Sequence, residues 1–600
     1  MTERRLCRMR SCSSWIRGNR MAKKSTVHKI RKMEFKKIMI VLLAIFWIFV
    51  LFANDVTNFQ RTDRLREAQV REDLALESKP EETESVRDAW DVFDDESSVS
   101  SARESETDSS PAVKAAAEVK AEKEHGFSIV VFMAWLMVIV LSVMAVAFVD
   151  GSAEEDFLAL AVVLGLPTIF LTPFPMPIDE ATHFFRCYMM SRGHILQVTN
   201  KAGLVGDYVP AGLAAILRHP ENQLTLRTLT EHIDYWTVSV NGAMDTFYEN
   251  GYASYYLPVG YIPAAVGLVI SRVLHMPFFA QIYIGRLTNF LSYIGLAYAA
   301  YKKAPCYRNI FFIVGLASGS VYLAGSFSTD PLLIGCSLLY VAVILRHYFV
   351  PPGRHPRVPL SDCAILVACA GVILSMKVFV YTPVLLLILL IPTKRFGMKR
   401  FIPTAVAILA IAAFEAMWQV RLFGQFTYND KRLTSGTDVY GQIAFVRKYP
   451  VLVVRMIMNW LDKNIYYLTG SIKSLQESAG VAAIARFTTV LPFFTVFFTE
   501  DKPAPKSEKV PGDFRRSCFI LFAVEAVLIV LSLYIISSDM AGGTVTGVQS
   551  RYFLPIQPLL LLGIAGIDLD VKMHGYGKFV GYAACFSILS MLVVDLALLL

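Results

Sequence analysis

The chain has 600 residues, 54% of them hydrophobic, and a formal net charge of +8. Apolar runs that recur along this length exclude a soluble enzyme with one buried core and predict an all-α polytopic membrane protein. Nine cysteines without a CxxC pair indicate neither a disulfide framework nor a zinc centre, and the charge is segregated along the chain, so nucleic acid is not an expected partner.

Residues 1–37 read as a basic cytoplasmic tail, with Met21 as an alternative start to Met1. An apolar anchor follows at 38–53, oriented by the positive-inside rule with the N-terminus in the cytoplasm. Residues 54–126 are acidic and poor in aromatics, the composition of a disordered linker. An extra transmembrane helix at 127–149 and a further span at 157–174 then bring PMPIDEATHFFRCYMMSRG, residues 175–193, to the outer face.

Outer segments are expected at about 175–277 and at 421–480. Within the first, 255–274 is apolar, but a crossing there would leave Lys302, Lys303 and Arg308 outside, so it reads as a re-entrant or interfacial helix. Later spans are expected at 278–301, 309–327, 332–349, 362–376 and 379–392, the last two meeting at Lys377. Others follow at 402–420, 481–498, 517–536, 553–567 and 579–600, giving about thirteen spans.

Pro177 marks a helix start at Asp179. At about 100° per residue, Asp179, His183 and Arg186 fall on one face within roughly 60°, with Glu180 off to the side. In a soluble protein this would be an N-cap and a solvated face, but charges beside lipid are costly and tend to be functional. In the expected topology Asp179, Glu180, His183, Arg186, Asp330, Lys377, Gln549, Arg551 and Tyr552 all sit at outer ends of spans. Acids on one wall and cations on another suit a hydroxyl beside a phosphate. No P-loop and no credible GxGxxG is present, so an activated group used on that face is expected to arrive on a lipid.

PMPIDEATHFFRCYMMSRG, YASYYLPVGYIPAAVGLVISR, GRLTNFLSYIGLAYA, SFSTDPLL, MKVFVYTPVLLLILLIP and TGVQSRYFLPI resemble, in this order, the bacterial membrane family called domain of unknown function 2142. The resemblance runs over 157–600 and omits the 1–156 extension. That family is grouped by similarity with the GT-C glycosyltransferases, and this implies a GT-C-like bundle with outer-face interfacial helices in a bacterial plasma membrane. It further implies a membrane glycosyltransferase that moves a sugar from a polyprenyl-phosphate donor to a cell-envelope glycan or glycolipid on the extracytoplasmic face. Asp179 would be the general base, and Glu180 would orient it or hold a divalent cation, Mg or Mn. Arg551 and Lys377 would hold the donor phosphate, His183 and Arg186 would shape the site, and Asp330 would bind sugar hydroxyls beside Gln549 and Tyr552. The family pattern usually reads VQGRYF, and Ser550 stands here in place of the glycine. Metal dependence stays open, because a DE pair with one histidine offers too few ligands.

Two alternatives remain: a transporter or flippase of lipid-linked sugars, and an assembly subunit with a vestigial site. A transporter predicts mid-span polar residues and internal repeats. Glu415 reads as the only acid well inside a span, and no repeat is visible.

Overall fold

The computed structural model describes residues 153–588, apart from isolated positions and interruptions at 220–223, 225–232, 251–255, 350–356, 377–379, 427–437, 470–495, 497–511 and 566–579. The expected tail, anchor, linker and extra span, the greater part of the spans at 481–498 and 579–600, and Lys377 lie outside the described residues.

The described chain is mostly helical. It begins with α1 (Ala153–Leu171), α2 (Glu180–Ser191) and α3 (Ala211–Arg218), and a 3-10 turn at Pro258–Tyr261 leads into α4 (Ile262–Val273). Next come α5 (Phe278–Lys303), α6 (Arg308–Gly315), α7 (Ser318–Ala324), α8 (Asp330–Tyr348) and α9 (Leu360–Ser375), then a 3-10 segment at Thr382–Leu390. α10 (Met398–Phe426), α11 (Val439–Lys448), α12 (Pro450–Asn464) and α13 (Gly512–Ser537) follow, and a 3-10 segment at Ser550–Ile556 runs into α14 (Gln557–Ile564).

Three described helices are long and apolar enough to cross a membrane: Asp330–Tyr348, Met398–Val420 and Gly512–Ser537. α4, at 12 residues, rises only about 18 Å and is too short for a crossing. The expected single span at 309–327 is broken into α6 and α7, which changes that expectation. The sequence supplies the reason: Gly315, Ser318, Gly319 and Ser320 are poor helix formers, and the carbonyl freed at Gly315 accepts the Tyr293 hydroxyl at 2.9 Å.

Helix ends follow local chemistry. α8 starts with Asp330 and Pro331 and finishes with Arg346 and His347 in its last turn, so acid and base sit at the ends that the helix dipole favours. α5 likewise closes on Lys302 and Lys303. α4 lies close on α5, because a side chain at Gly267 would come within 2.7 Å of the Ile284 carbonyl and 2.9 Å of Gly285.

Among the described residues the packing forms two apolar cores. One fills the helix bundle, with Phe290, Tyr293, Val341, Leu366, Ile529 and Leu561 buried in it. The other lies under a cap formed by α2, α3 and a small antiparallel sheet, and buries Phe174, Phe184, Trp236, Tyr261, Phe278 and Phe327. The sheet runs β1 (Val198–Thr199), β2 (Val205–Val209) and β3 (Thr246–Glu249), with Gly206 opposite both Val198 and Glu249.

Polar clusters close both ends of the α5 and α8 pair. At one end Asp362 accepts from Lys303 at 2.8 Å and pairs with His347 at 2.7 Å, while Arg395 donates to the His347 carbonyl at 2.8 Å. At the other end stand Arg286 of α5 and Asp330 of α8. Each helix therefore separates its polar residues by about 25 Å of rise, close to the hydrocarbon thickness of about 30 Å.

Candidate functional site

The helix of the PMPIDEATHFF stretch starts one residue later than expected, at Glu180. Asp179 occupies the N-cap in a left-handed conformation with φ 63°, and its side chain makes no capping bond. Aspartate tolerates this region better than most residues. The consequence is that Asp179 leaves the face that periodicity assigned to it, and its carboxylate reaches across the chain. Arg551 Nη2 donates to Asp179 Oδ2 at 2.7 Å, and Arg551 Nε stands 3.6 Å from Asp330 Oδ2.

This trio is graded in exposure. The Asp179 side chain is 54% exposed, while those of Arg551 and Asp330 are 6% exposed. Burial alone would lower the proton affinity of Arg551, but Asp330, Tyr552 and Asp179 carry it above its ordinary value, so it remains a fixed cation. Its guanidinium lies over the Tyr552 ring at 5.5 Å. The Tyr552 carbonyl accepts the Tyr381 hydroxyl at 2.8 Å, which anchors the 3-10 segment that presents Arg551.

Glu180 has a different setting. Arg286 grips it bidentately, Nε to Oε1 at 2.8 Å and Nη2 to Oε2 at 2.6 Å, and Phe327 N–H adds a bond to Oε1 at 3.2 Å. Burial pushes the Glu180 carboxyl up, and Arg286 and Phe327 pull the other way; the two-pronged geometry is that of an ion pair. Arg286 also donates to the carbonyls of Ile169 at 2.9 Å, Thr172 at 2.7 Å and Pro173 at 3.3 Å. It thereby ties the end of α1 to the start of α2 and to the loop before α8. One turn along α5, Asn289 donates to the Ser326 and Ser328 carbonyls at 2.7 and 2.9 Å, fixing the SFSTD loop that delivers Asp330.

His183 Nδ1 lies 3.0 Å from the Tyr261 hydroxyl, and its ring faces Tyr256 at 6.5 Å. Burial pushes the Tyr256 phenol up, with Tyr552, Asp330 and Asp179 adding to it and Arg551 opposing. Tyr256 thus sits between His183 and the acid and arginine trio. Arg186 is buried, donates through Nη2 to the Ile195 carbonyl at 2.5 Å, and has its proton affinity lowered by burial. Gln549 occupies the N-cap position of the segment carrying Arg551 without a side-chain capping bond, and its Oε1 is buried and unbonded.

The structure therefore brings together Asp179, Asp330, Arg551 and Tyr552, sets His183 behind Tyr256, and holds Glu180 and Arg186 in separate contacts. Lys377 is outside the described residues. Among the described residues there is no group of three or more acid, histidine or cysteine side chains that would hold a metal ion, and Arg551 stands between the carboxylates of Asp179 and Asp330.

Sequence reasoning missed Arg286, Asn289, Tyr256 and Tyr381. An arginine inside an apolar helix was the available signal for the first. It also passed over Glu525, which lies halfway along α13 and is fully buried; Glu415 is consequently not the only acid well inside a span.

All the described site residues fall within one family match, over residues 160–560. The chain belongs to the predicted membrane protein family DUF2142. No curated protein and no solved structure matches it. In this DUF2142 chain the matched region starts inside α1 and reaches into α14, so it takes in the cap, both polar ends of the α5 and α8 pair, and Arg551.

Proposed function

We propose that this protein is a membrane glycosyltransferase of GT-C type, which transfers a sugar from a polyprenyl-phosphate donor to a cell-envelope glycan or glycolipid. The observation that carries the reading is the half-exposed Asp179 carboxylate held on the buried Arg551, with Asp330 behind it. Arg551 binds the donor phosphate, exchanging Asp179 for phosphate oxygens with its planar fork. The released Asp179 accepts the proton of the attacking hydroxyl, and Asp330 keeps Arg551 aimed while bonding sugar hydroxyls. Glu180 serves the architecture through Arg286. Lys377 adds a second cation for the phosphate. Purified protein in lipid, given a panel of polyprenyl-phosphate sugars, tests this: a glycosidic product is expected, and no product from any donor overturns it.

The second reading, a transporter of lipid-linked sugars, draws support from the buried Glu525 inside a span. It predicts movement of labelled lipid-linked sugar across vesicles without a new glycosidic bond.

Sidedness follows from charge: the Lys302, Lys394 and Arg357 end is cytoplasmic and the Asp179 end extracytoplasmic in a bacterial plasma membrane, in a bundle of about thirteen spans. A cysteine at exposed Thr546 should react with an impermeant thiol reagent in intact cells, and one at exposed Lys394 only after permeabilisation. The reverse pattern would turn the site inward and remove envelope glycans from the list of acceptors.

Residues 54–126 serve as a tether. Their deletion should leave activity close to that of the full chain at equal protein level, because their composition cannot build a packed core. Complete loss of activity would assign them a substrate or partner.

A further inference from the structure

α4 is too short to cross the membrane, yet it carries a stripe suited to lipid. Ile262, Val266, Ile270 and Val273 recur at helical spacing and are all exposed, and exposed Leu274 follows them. Ala264, Ala265, Gly267, Leu268 and Ser271 form the buried face. The apolar stripe is therefore turned away from the protein.

Its depth follows from α5. A short turn reverses the chain between the two helices, and Gly267 lies against Ile284 and Gly285, just outward of Arg286. Ile262, five residues before Gly267, is then about 7.5 Å below this level, and Arg272, five residues after it, about 7.5 Å above. The stripe thus runs from the hydrocarbon beside Arg286 up into the headgroup layer, which adds about 5–7 Å at each face.

Two cations stand at its outer end. Arg272 donates through Nη1 to Ser191 Oγ at 3.0 Å and through Nη2 to the Ser191 carbonyl, so the last turn of α4 is tied to the last residue of α2. The next residue, Arg192, donates one long bond, to the Gly242 carbonyl at 3.4 Å. Burial lowers the proton affinity of Arg272, and Arg192 lowers it further. Among the described residues no acid pairs with either arginine. The ends of α2 and α4 offer about half a negative charge each. Together they offset one of the two cations and leave the other for a ligand.

We propose that this end of α4 binds an anionic phospholipid of the leaflet on the Asp179 side, with its phosphate across Arg192 and Arg272 and an acyl chain along Ile262, Val266, Ile270 and Val273. The planar fork of arginine suits phosphate oxygens. A zwitterionic headgroup brings an ammonium that the pair repels, so the net charge of the lipid decides. The occupant is distinct from a polyprenyl-phosphate donor at Arg551. It is the opposite end of α4 that approaches the Asp330 loop, where a side chain at Gly260 would meet Thr329 Cγ2 at 3.0 Å. The lipid site stands whichever chemistry the Asp179 end performs.

Photolabelling of the purified full chain in mixed vesicles tests this. The probe is phosphatidylglycerol with a diazirine near the head of one acyl chain, and labelled peptides are mapped by mass spectrometry. Label is expected within 262–274, displaced by unlabelled phosphatidylglycerol and not by an equal amount of phosphatidylcholine. Arg192→Gln with Arg272→Gln should cut this label roughly twentyfold against label elsewhere on the chain, at about fivefold for each cation. Arg192→Gln alone keeps the Arg272 bonds to Ser191, guards against a double variant that fails to fold, and should cut it about fivefold. Equal displacement by phosphatidylcholine, or label unchanged without the arginines, would reduce the stripe to ordinary lipid contact and overturn the proposal. Displacement by a polyprenyl-phosphate sugar at concentrations where phosphatidylglycerol has no effect would overturn it too, as would crosslinks from α4 to a second copy of the chain in place of lipid label.

Discussion

Asp179→Asn should lower turnover by about 10² to 10⁴, the usual contribution of general acid and base catalysis, with donor binding little changed. The change is clean because asparagine also tolerates the left-handed backbone at this position, so the helix start is kept. The amide still accepts from Arg551 but takes no proton. Arg551→Lys should instead weaken donor binding, since an ammonium cannot hold phosphate with two parallel bonds, and should disturb Asp330, which loses the planar group beside it. Single-turnover rates and donor binding measured on both variants separate the two roles. Wild-type turnover in Asp179→Asn would remove it as the base.

Arg286→Met should destabilise the protein by about 3–5 kcal/mol, because it leaves Glu180 buried with one N–H and frees three carbonyls at the end of α1. The readout is thermal unfolding in detergent together with protein yield. Adding Glu180→Gln to that variant should recover part of the loss, since the uncompensated charge goes with it. Glu180→Gln alone distinguishes its two possible employments. Reduced stability with activity in proportion to folded protein supports the clasp, whereas normal stability with lost turnover would return Glu180 to the chemistry.

The membrane class was legible because apolar run length is a local property of sequence, and the DE stretch stood out because charge next to lipid is another. Which of its two acids is exposed and which buried was not legible. Helical periodicity placed Asp179 on the wheel with His183 and Arg186, but a left-handed N-cap takes its side chain out of that register, and although aspartate tolerates that conformation the pattern does not mark where it is adopted. Arg551 was found from its motif, yet its pairing with Asp179 joins positions 372 apart in the chain. Arg286 stood in the quoted GRLTNF stretch and escaped notice because its meaning lies in partners from three other segments. The single span expected at 309–327 failed for a visible reason, the glycines and serines around Leu316. Glu525 was equally visible and was overlooked.

The pinning of α5 and α8 at both ends has a consequence for the lipid around them. Arg286 and Asp330 are held by bonds at one end, Lys303 and His347 at the other, so the apolar length between them cannot stretch. A bilayer thicker than this length must thin beside the protein or draw flanking side chains outward to the interface, at a fraction of a kcal/mol for each ångström of mismatch. Acyl-chain length should therefore act as an adjustable strain on the Asp179 and Arg551 contact, with short-chain lipids relaxing it and long-chain lipids pulling the two polar ends apart, each toward the headgroups on its own side.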